Sequence, residues 1–333
     1  MLIVEIRLLE REVLPYMEKE VVIQPTLKHN VFLSTLNTRS LRTNRFLERI
    51  LAFIFLAPSL LLFSTFLFYP LIKSVYLSMF LTDPRGRIAQ YVGLRNFTDL
   101  LTSDLFYKSM TVTISFILLT VPTGIIIALV LAWLAQTRFR GMVVFRFIFS
   151  LPMAISVGTG SIIWMILYHP TLGTLNYFLS LLHIAPINWI TDPSWALLSI
   201  AIMTVWMNLG FQFIVLLSGM QGVSDDIYDS AQIDGAGPLK TFFSLTLPLI
   251  TPSIFFVTVV SMIGAFQSFG QINILTKGGP VNSTNVMVFN IYQDAFVNYR
   301  FGIGSAQALI LFCIVLILTL IQFKFLEKKV HYQ

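Results

Sequence analysis

The chain has 333 residues, of which 56% are hydrophobic and only 11% charged, and its mean hydropathy is +0.79. Soluble domains carry roughly 25% charged residues, so this composition excludes an ordinary water-solvated fold and points to lipid as the solvent. The net charge of +6 does not indicate a nucleic-acid partner, because the basic residues gather at the ends of apolar runs, where they set membrane topology.

In chain order, residues 1–45 mix charges with apolar groups. Glu5, Arg7, Glu10, Arg11 and Glu12 interrupt any signal-peptide core, and this N-terminal arm is left without a function. The remainder, 46–333, reads as one transmembrane domain. Six apolar segments fall at about 50–72, 111–135, 147–168, 195–218, 252–275 and 303–323, none holding Asp, Glu, Lys or Arg. Each reaches the roughly 20 residues that a helix needs to cross the hydrocarbon core. In lipid the backbone must satisfy itself, and uninterrupted runs of this length do so as helices, not barrel strands. The expected fold class is therefore all-α, a polytopic bundle of six transmembrane helices. There is no heptad pattern, low-complexity tract or internal repeat.

Arg39, Arg42, Arg45 and Arg49 precede the first segment. Arg138, Arg140 and Arg146 lie between the second and third, and Lys324, Lys328 and Lys329 close the sixth. Loop 169–194 has no Lys or Arg. The excess of positive charge places both termini in the cytoplasm of a multi-pass cell-membrane protein. Pro58, Pro122 and Pro152 interrupt the segments, and Ser150, Pro152, Gly158 and Gly160 make the third the most irregular. Close packing through small residues and a gating hinge both account for that irregularity. Cys313 sits inside the sixth segment, so an intrachain disulfide is excluded and a small buried hydrophobe is expected.

The most polar, glycine-marked stretch of the second half lies in the loop at about 219–251, inside by parity. It comprises Asp229, Ser230, Ala231, Asp234, Gly235, Ala236 and Gly237, followed by Leu247 and Pro248. Small residues keep a short helix thin, and the glycines permit a sharp turn between helical pieces. A solvated interhelical loop and a handle held by a partner both fit these residues.

No catalytic constellation is visible. The four histidines, His29, His169, His183 and His331, share no metal-ligand spacing. The run from Gly235 to Thr241 lacks the Gly directly before Lys-Thr that a phosphate loop needs, since Leu239 occupies that place. The chain is thus not an enzyme and holds no cofactor, and ATP, if it drives the process, is bound by another subunit. The spans lack the buried carboxylate or histidine of a proton relay. An ion-coupled secondary carrier built on neutral oxygens remains the alternative. The polar groups within the spans are neutral: Asn208, Gln212, Gln267, Gln271 and Asn273. Amides can line a solute pathway or tie helices together. Gln267 and Gln271, spaced four apart, are expected on one helix face.

The loop from Asp229 to Pro248 resembles the signature of the membrane subunits of binding-protein-dependent ABC importers. Ala231, Asp234, Gly235, Ala236, Phe243, Leu247 and Pro248 match as they stand, with Asp229 in place of Glu and Ser230 in place of Ala. The likeness runs from about Leu51 to Leu326. Other pieces are Phe68-Tyr69-Pro70, Tyr91 to Phe97, Ile187 to Pro193, Gly264 to Gln267, Thr276 to Pro280 and Tyr292 to Phe296. These are similar to the carbohydrate-uptake branch, maltose-type and glycerol-phosphate-type. The resemblance implies the type I importer permease fold and a coupling helix, Asp229 to Gly237, seated on a separate cytoplasmic ATPase subunit. It further implies a second permease subunit, an extracytoplasmic solute-binding protein to which loop 169–194 could contribute, and a sugar or related small solute.

Overall fold

The computed structural model describes residues 38–83, 85–136 and 140–326. The N-terminal arm lies outside these up to residue 37, as do Arg138, Lys328 and Lys329, three of the residues that set the expected orientation. The chain divides at Thr65 into two units. The first contributes one helix, α1 (Thr38–Phe63), with Pro58 inside it and apolar side chains exposed along its described length. The apolar run Arg49–Leu77 is long enough to cross a membrane.

The second unit begins with the remainder of a π-helical turn, Ser64–Phe68, and α2 (Tyr69–Leu77). A short antiparallel hairpin follows, β1 (Phe80–Thr82) with β2 (Ile88–Tyr91), and then α3 (Arg95–Leu101). Asn96 holds this corner by donating from Nδ2 to the carbonyls of Ser78 and Phe80 at 2.8 and 3.0 Å. The centre of the unit is the pair α4 (Asp104–Ala135) and α8 (Pro193–Gln221). Gly124, Ala128, Ala132 and Ala135 form a buried small-residue stripe on α4 at helical spacing. Phe213, Leu216, Leu217 and Met220 of α8 belong to the same core. Lipid supplies no hydrophobic drive between helices, so close backbone approach over small residues is what makes such a pair. Arg146 turns its guanidinium onto the Ala135 carbonyl, with Nη2 at 2.7 Å, placing a cation on the carbonyl end of α4.

The third apolar segment departs from the expected single helix. It is split into α5 (Met142–Ser150), a 3₁₀ turn Leu151–Ala154 and α6 (Val157–Leu167), with a bend of 104°. Pro152 has no N–H to continue the ladder. Ile155 and Ser156 then adopt extended backbone, and Ser156 Oγ accepts from Thr159 N at 3.2 Å to open a new helix. Among the described residues five helices are long and apolar enough to cross a membrane, and six spans result when the bent pair counts as one.

After α6 come α7 (Thr174–Leu181), the central α8, α9 (Asp225–Ile233), α10 (Pro238–Thr241) and a single turn α11 (Leu247–Leu249). The fifth segment is also interrupted. α12 (Thr251–Phe266) stops, and after three intervening residues α13 (Gly270–Leu275) begins beside α6. A Cβ on Gly270 would lie 2.8 Å from Val157 Cγ1, so the two broken segments meet next to their breaks. α14 (Met287–Tyr292) and α15 (Phe301–Leu326) complete the chain. Cys313 is exposed on α15, against expectation. That helix is apolar on every side, so spacing alone carries no sign of which face packs.

Candidate functional site

The glycine-marked loop folds as two helical pieces at the C-terminal end of α8. Ser224 caps α9, its Oγ accepting from Asp226 N at 3.3 Å, with Asp225 and Asp226 in the first turn where the helix dipole favours anions. The far end closes by a Schellman arrangement. Asp234 is the cap, and Gly235 follows at φ +73°. Gly235 N donates to the Gln232 carbonyl at 3.1 Å, and Ala236 N to the Ala231 carbonyl at 2.9 Å. Nothing lies within 4 Å of where a Gly235 Cβ would stand, so glycine is required there by backbone angle and not by space. Gly237, extended, caps α10, with Pro238 at its first position.

α9 is two-faced. Ala231 is buried, and Ile227 and Tyr228 pack on the core formed with Met220, Val223, Phe242 and Ile250. Tyr228 Oη accepts from Gln136 Nε2 at 3.0 Å and from Thr246 Oγ1 at 3.4 Å, tying α9 to the end of α4 and to the chain beyond α10. The other face exposes Asp226, Asp229, Ser230, Asp234 and Ile233, with Ile233 86% exposed. Leu239 and Phe243 are exposed beside it. Leu247 is half-buried, and the Pro248 carbonyl accepts from Thr251 Oγ1 at 2.7 Å as α12 begins. A cleft of about 330 Å³ opens between α9 and the α10 turn, over Trp133, Tyr228, Asp229 and Phe242. Such a surface, rigid beneath and mixed acidic and apolar above, suits a groove in a partner.

The five neutral amides do not form one surface. Gln212 is only 2% exposed, and its Nε2 donates to Ser261 Oγ of α12 at 3.0 Å. Its Oε1 is buried without a hydrogen bond and would touch a Cβ placed on Gly124 at 2.8 Å. Gln271 is buried and donates to Thr204 Oγ1 at 3.3 Å. Both therefore join helices. Asn208 and Gln267 are exposed, and Asn273 is half-buried. Gln267 caps α12 whereas Gln271 belongs to α13, so the expected shared helix face does not form.

A second polar cluster forms around Asp294, which the sequence showed only as part of the Tyr292 to Phe296 piece of the resemblance, with no role. The carboxylate is buried and accepts from Gln307 Nε2 at 2.7 Å and Asn298 Nδ2 at 3.3 Å, and it pairs with Arg300. Asn290 Nδ2 donates to Gln307 Oε1 at 3.4 Å. The loop before α15 is thereby fastened to that helix. The available signal was a lone Asp followed six residues later by Arg, in a stretch otherwise poor in charge. No group of His, Cys, Asp or Glu suited to a metal occurs among the described residues.

Apolar spans, two of them broken and apposed, with a glycine-jointed helix exposed at one end, define a membrane transport subunit. The chain belongs to the family of binding-protein-dependent transport system inner membrane components, matched over residues 105–332. It is 33% identical over 290 residues to the sn-glycerol-3-phosphate transport system permease protein UgpA of Agrobacterium fabrum, covering 86% of this chain and 98% of that one. The UgpA protein of Brucella suis biovar 1 is 34% identical over the same coverage. A bacterial ABC transporter involved in the import of the acidic polysaccharide alginate shares the fold. Its TM-score is 0.76 at 23% identity, over 86% of this chain and 99% of that chain. The same architecture appears in the alginate transporter in complex with alginate pentasaccharide-bound periplasmic protein, with a TM-score of 0.75 at 23% identity, over 84% of this chain and 94% of that chain. The protein is thus a permease subunit of a binding-protein-dependent importer, with the type I ABC permease fold and, as the family is built, no ATPase site of its own.

Proposed function

We propose that this subunit forms half of the translocation pathway for a sugar or related polyhydroxylated solute, paired with a second, similar permease. Two ATP-binding subunits would grip α9, and a solute-binding protein would deliver cargo from the opposite side of the inner membrane. Both termini then lie in the cytoplasm. The observation that carries the proposal is the outward face of α9, from Asp229 to Asp234, held rigid by Tyr228 and the Gly235 cap. A pull on such an element is transmitted to α4 and α8 rather than absorbed locally. Closure of the ATPases would rock the helices between two arrangements and give alternating access.

Asn208 and Gln267 support the paired pathway. An amide exposed at membrane depth is costly against lipid, so these positions call for a second protein surface or a wet channel. The solute class rests on the glycerol-phosphate permeases among the relatives, together with spans that carry only neutral hydrogen-bonding groups. The test is uptake by proteoliposomes. The chain assembled with its partner subunits should accumulate solute only with ATP, tested on a panel of sugars and glycerol phosphates. Uphill accumulation by the chain alone on an ion gradient would overturn the proposal.

A further inference from the structure

We infer that α7 is an interfacial anchor, seated in the lipid headgroup layer on the membrane face opposite α9. The 29 residues of α8 separate the two elements by about 43 Å, so they lie at opposite bilayer surfaces. On α7 and its C-cap, Tyr177, Phe178, Leu181 and Leu182 form one stripe at helical spacing, each 56–69% exposed. Leu172 just before it and Ile184 just after it are exposed as well. Residues 169–191 contain no Asp, Glu, Lys or Arg. A surface that waits in water for a soluble protein normally carries a polar, charged rim, and this one has none.

The element is also unable to leave the span ends. Asn176 uses its whole amide: Nδ2 donates to the carbonyls of Pro170 and Ile187 at 2.8 and 3.0 Å, and Oδ1 accepts from Ile187 N and Trp189 Nε1 at 3.1 and 2.9 Å. Tyr168 Oη donates to the Ser199 carbonyl at 2.7 Å, and Ser199 Oγ to the Trp189 carbonyl at 2.7 Å, fixing the loop to α8. Beneath lies a chain of rings: Trp164 with Tyr168 and Trp206, Tyr168 with Trp189, and Trp189 with Trp195, with centroids 5.2 to 5.8 Å apart. Three of the five tryptophans in the protein, Trp164, Trp189 and Trp195, stand at this end, and Trp206 continues the chain of rings deeper along α8. Trp and Tyr gather at membrane–water boundaries because their rings are apolar and their N–H and O–H groups are not. An apolar helix held at that depth buries its stripe in the acyl boundary. Functionally, α7 would hold the outer end of the broken α5–α6 segment at fixed depth while the inner end moves.

Nitroxide labels test this in the full chain, reconstituted in bilayers with its partner subunits, in a Cys313→Ala background. Labels at Tyr177→Cys, Phe178→Cys, Leu181→Cys and Leu182→Cys should collide more with oxygen and less with a water-soluble nickel chelate than a label at Ser180→Cys, on the other side of α7. Addition of the binding protein should leave that pattern unchanged. Equal access to nickel at all five positions, shielding from both reagents, or shielding that appears only with the binding protein would overturn the inference. As a label-free check, Phe178→Trp should add fluorescence that lipids brominated near the headgroup quench, and absence of quenching would count against it.

Discussion

Gly235 is the residue whose chemistry is simplest to isolate. Its φ of +73° lies in open space within the subunit, so substitution there strains the backbone without a clash inside the chain. A left-handed conformation costs a non-glycine residue about 1–2 kcal/mol, with Asn the mildest. In the assembled complex, Gly235→Val should lower solute moved per ATP hydrolysed, with Gly235→Asn between it and the wild type, as measured by paired uptake and hydrolysis in proteoliposomes. Equal ratios for Val and Asn would remove the strain account. Gln212 offers a contrasting case, being buried with one oxygen unpaired. Gln212→Leu should leave the melting temperature in detergent nearly unchanged, because Ser261 can turn its hydroxyl back to its own helix. Ser261→Ala strands the amide and should lower stability by about 1–3 kcal/mol. The turn at Gly235 was legible in the sequence, since it depends on neighbours in the chain, whereas the cap at Ser224 emerged only with the structure. The partners of Gln212 were not, because they depend on which helices surround it.

At the scale of elements, the two interrupted spans are where local signals and the folded structure diverge. Pro152 and the glycines near it marked the third segment as irregular, yet a bend of 104° depends on α8 leaving room for it. Gly210 supplies that room: a Cβ there would stand 2.9 Å from the Ser150 carbonyl oxygen and 3.0 Å from Met153 N. Backbone atoms cannot rotate away as a side-chain tip can. Gly210→Ala should therefore destabilise the protein by about 1–3 kcal/mol, seen as a lower melting temperature, and should slow transport. The break after Phe266 had a weaker marker, since Gly264 and Gly270 flank it but no proline does, and Gln267, Ser268 and Phe269 read as helix by composition. The i, i+4 spacing of Gln267 and Gln271 was for that reason misleading. Their roles now separate: Gln271→Leu should lower thermal stability by removing the bond to Thr204, whereas Gln267→Leu should reduce uptake with stability intact. The reverse assignment of effects would exclude Gln267 from the pathway.

At the scale of the molecule, composition alone told that the chain lives in lipid, and apolar run lengths told where it crosses. What the sequence left open was which polar groups face inward, because five helices that are apolar nearly all round show no preferred side. The folded unit resolves part of this by burying Gln212, Gln271 and Asp294 while leaving Asn208, Gln267 and the outer face of α9 uncovered. On the function proposed above, these uncovered groups are completed by partner subunits, and activity is expected only in the assembly.

The central claim is that a separate motor grips α9, and Ile233, an apolar side chain of that helix left 86% exposed, reports on that directly. With Cys313 replaced by Ala, Ile233→Cys should react rapidly with a bulky, water-soluble maleimide in the chain alone. It should be shielded once the ATP-binding subunits are bound. Undiminished labelling in the assembled, ATP-hydrolysing complex would contradict the account.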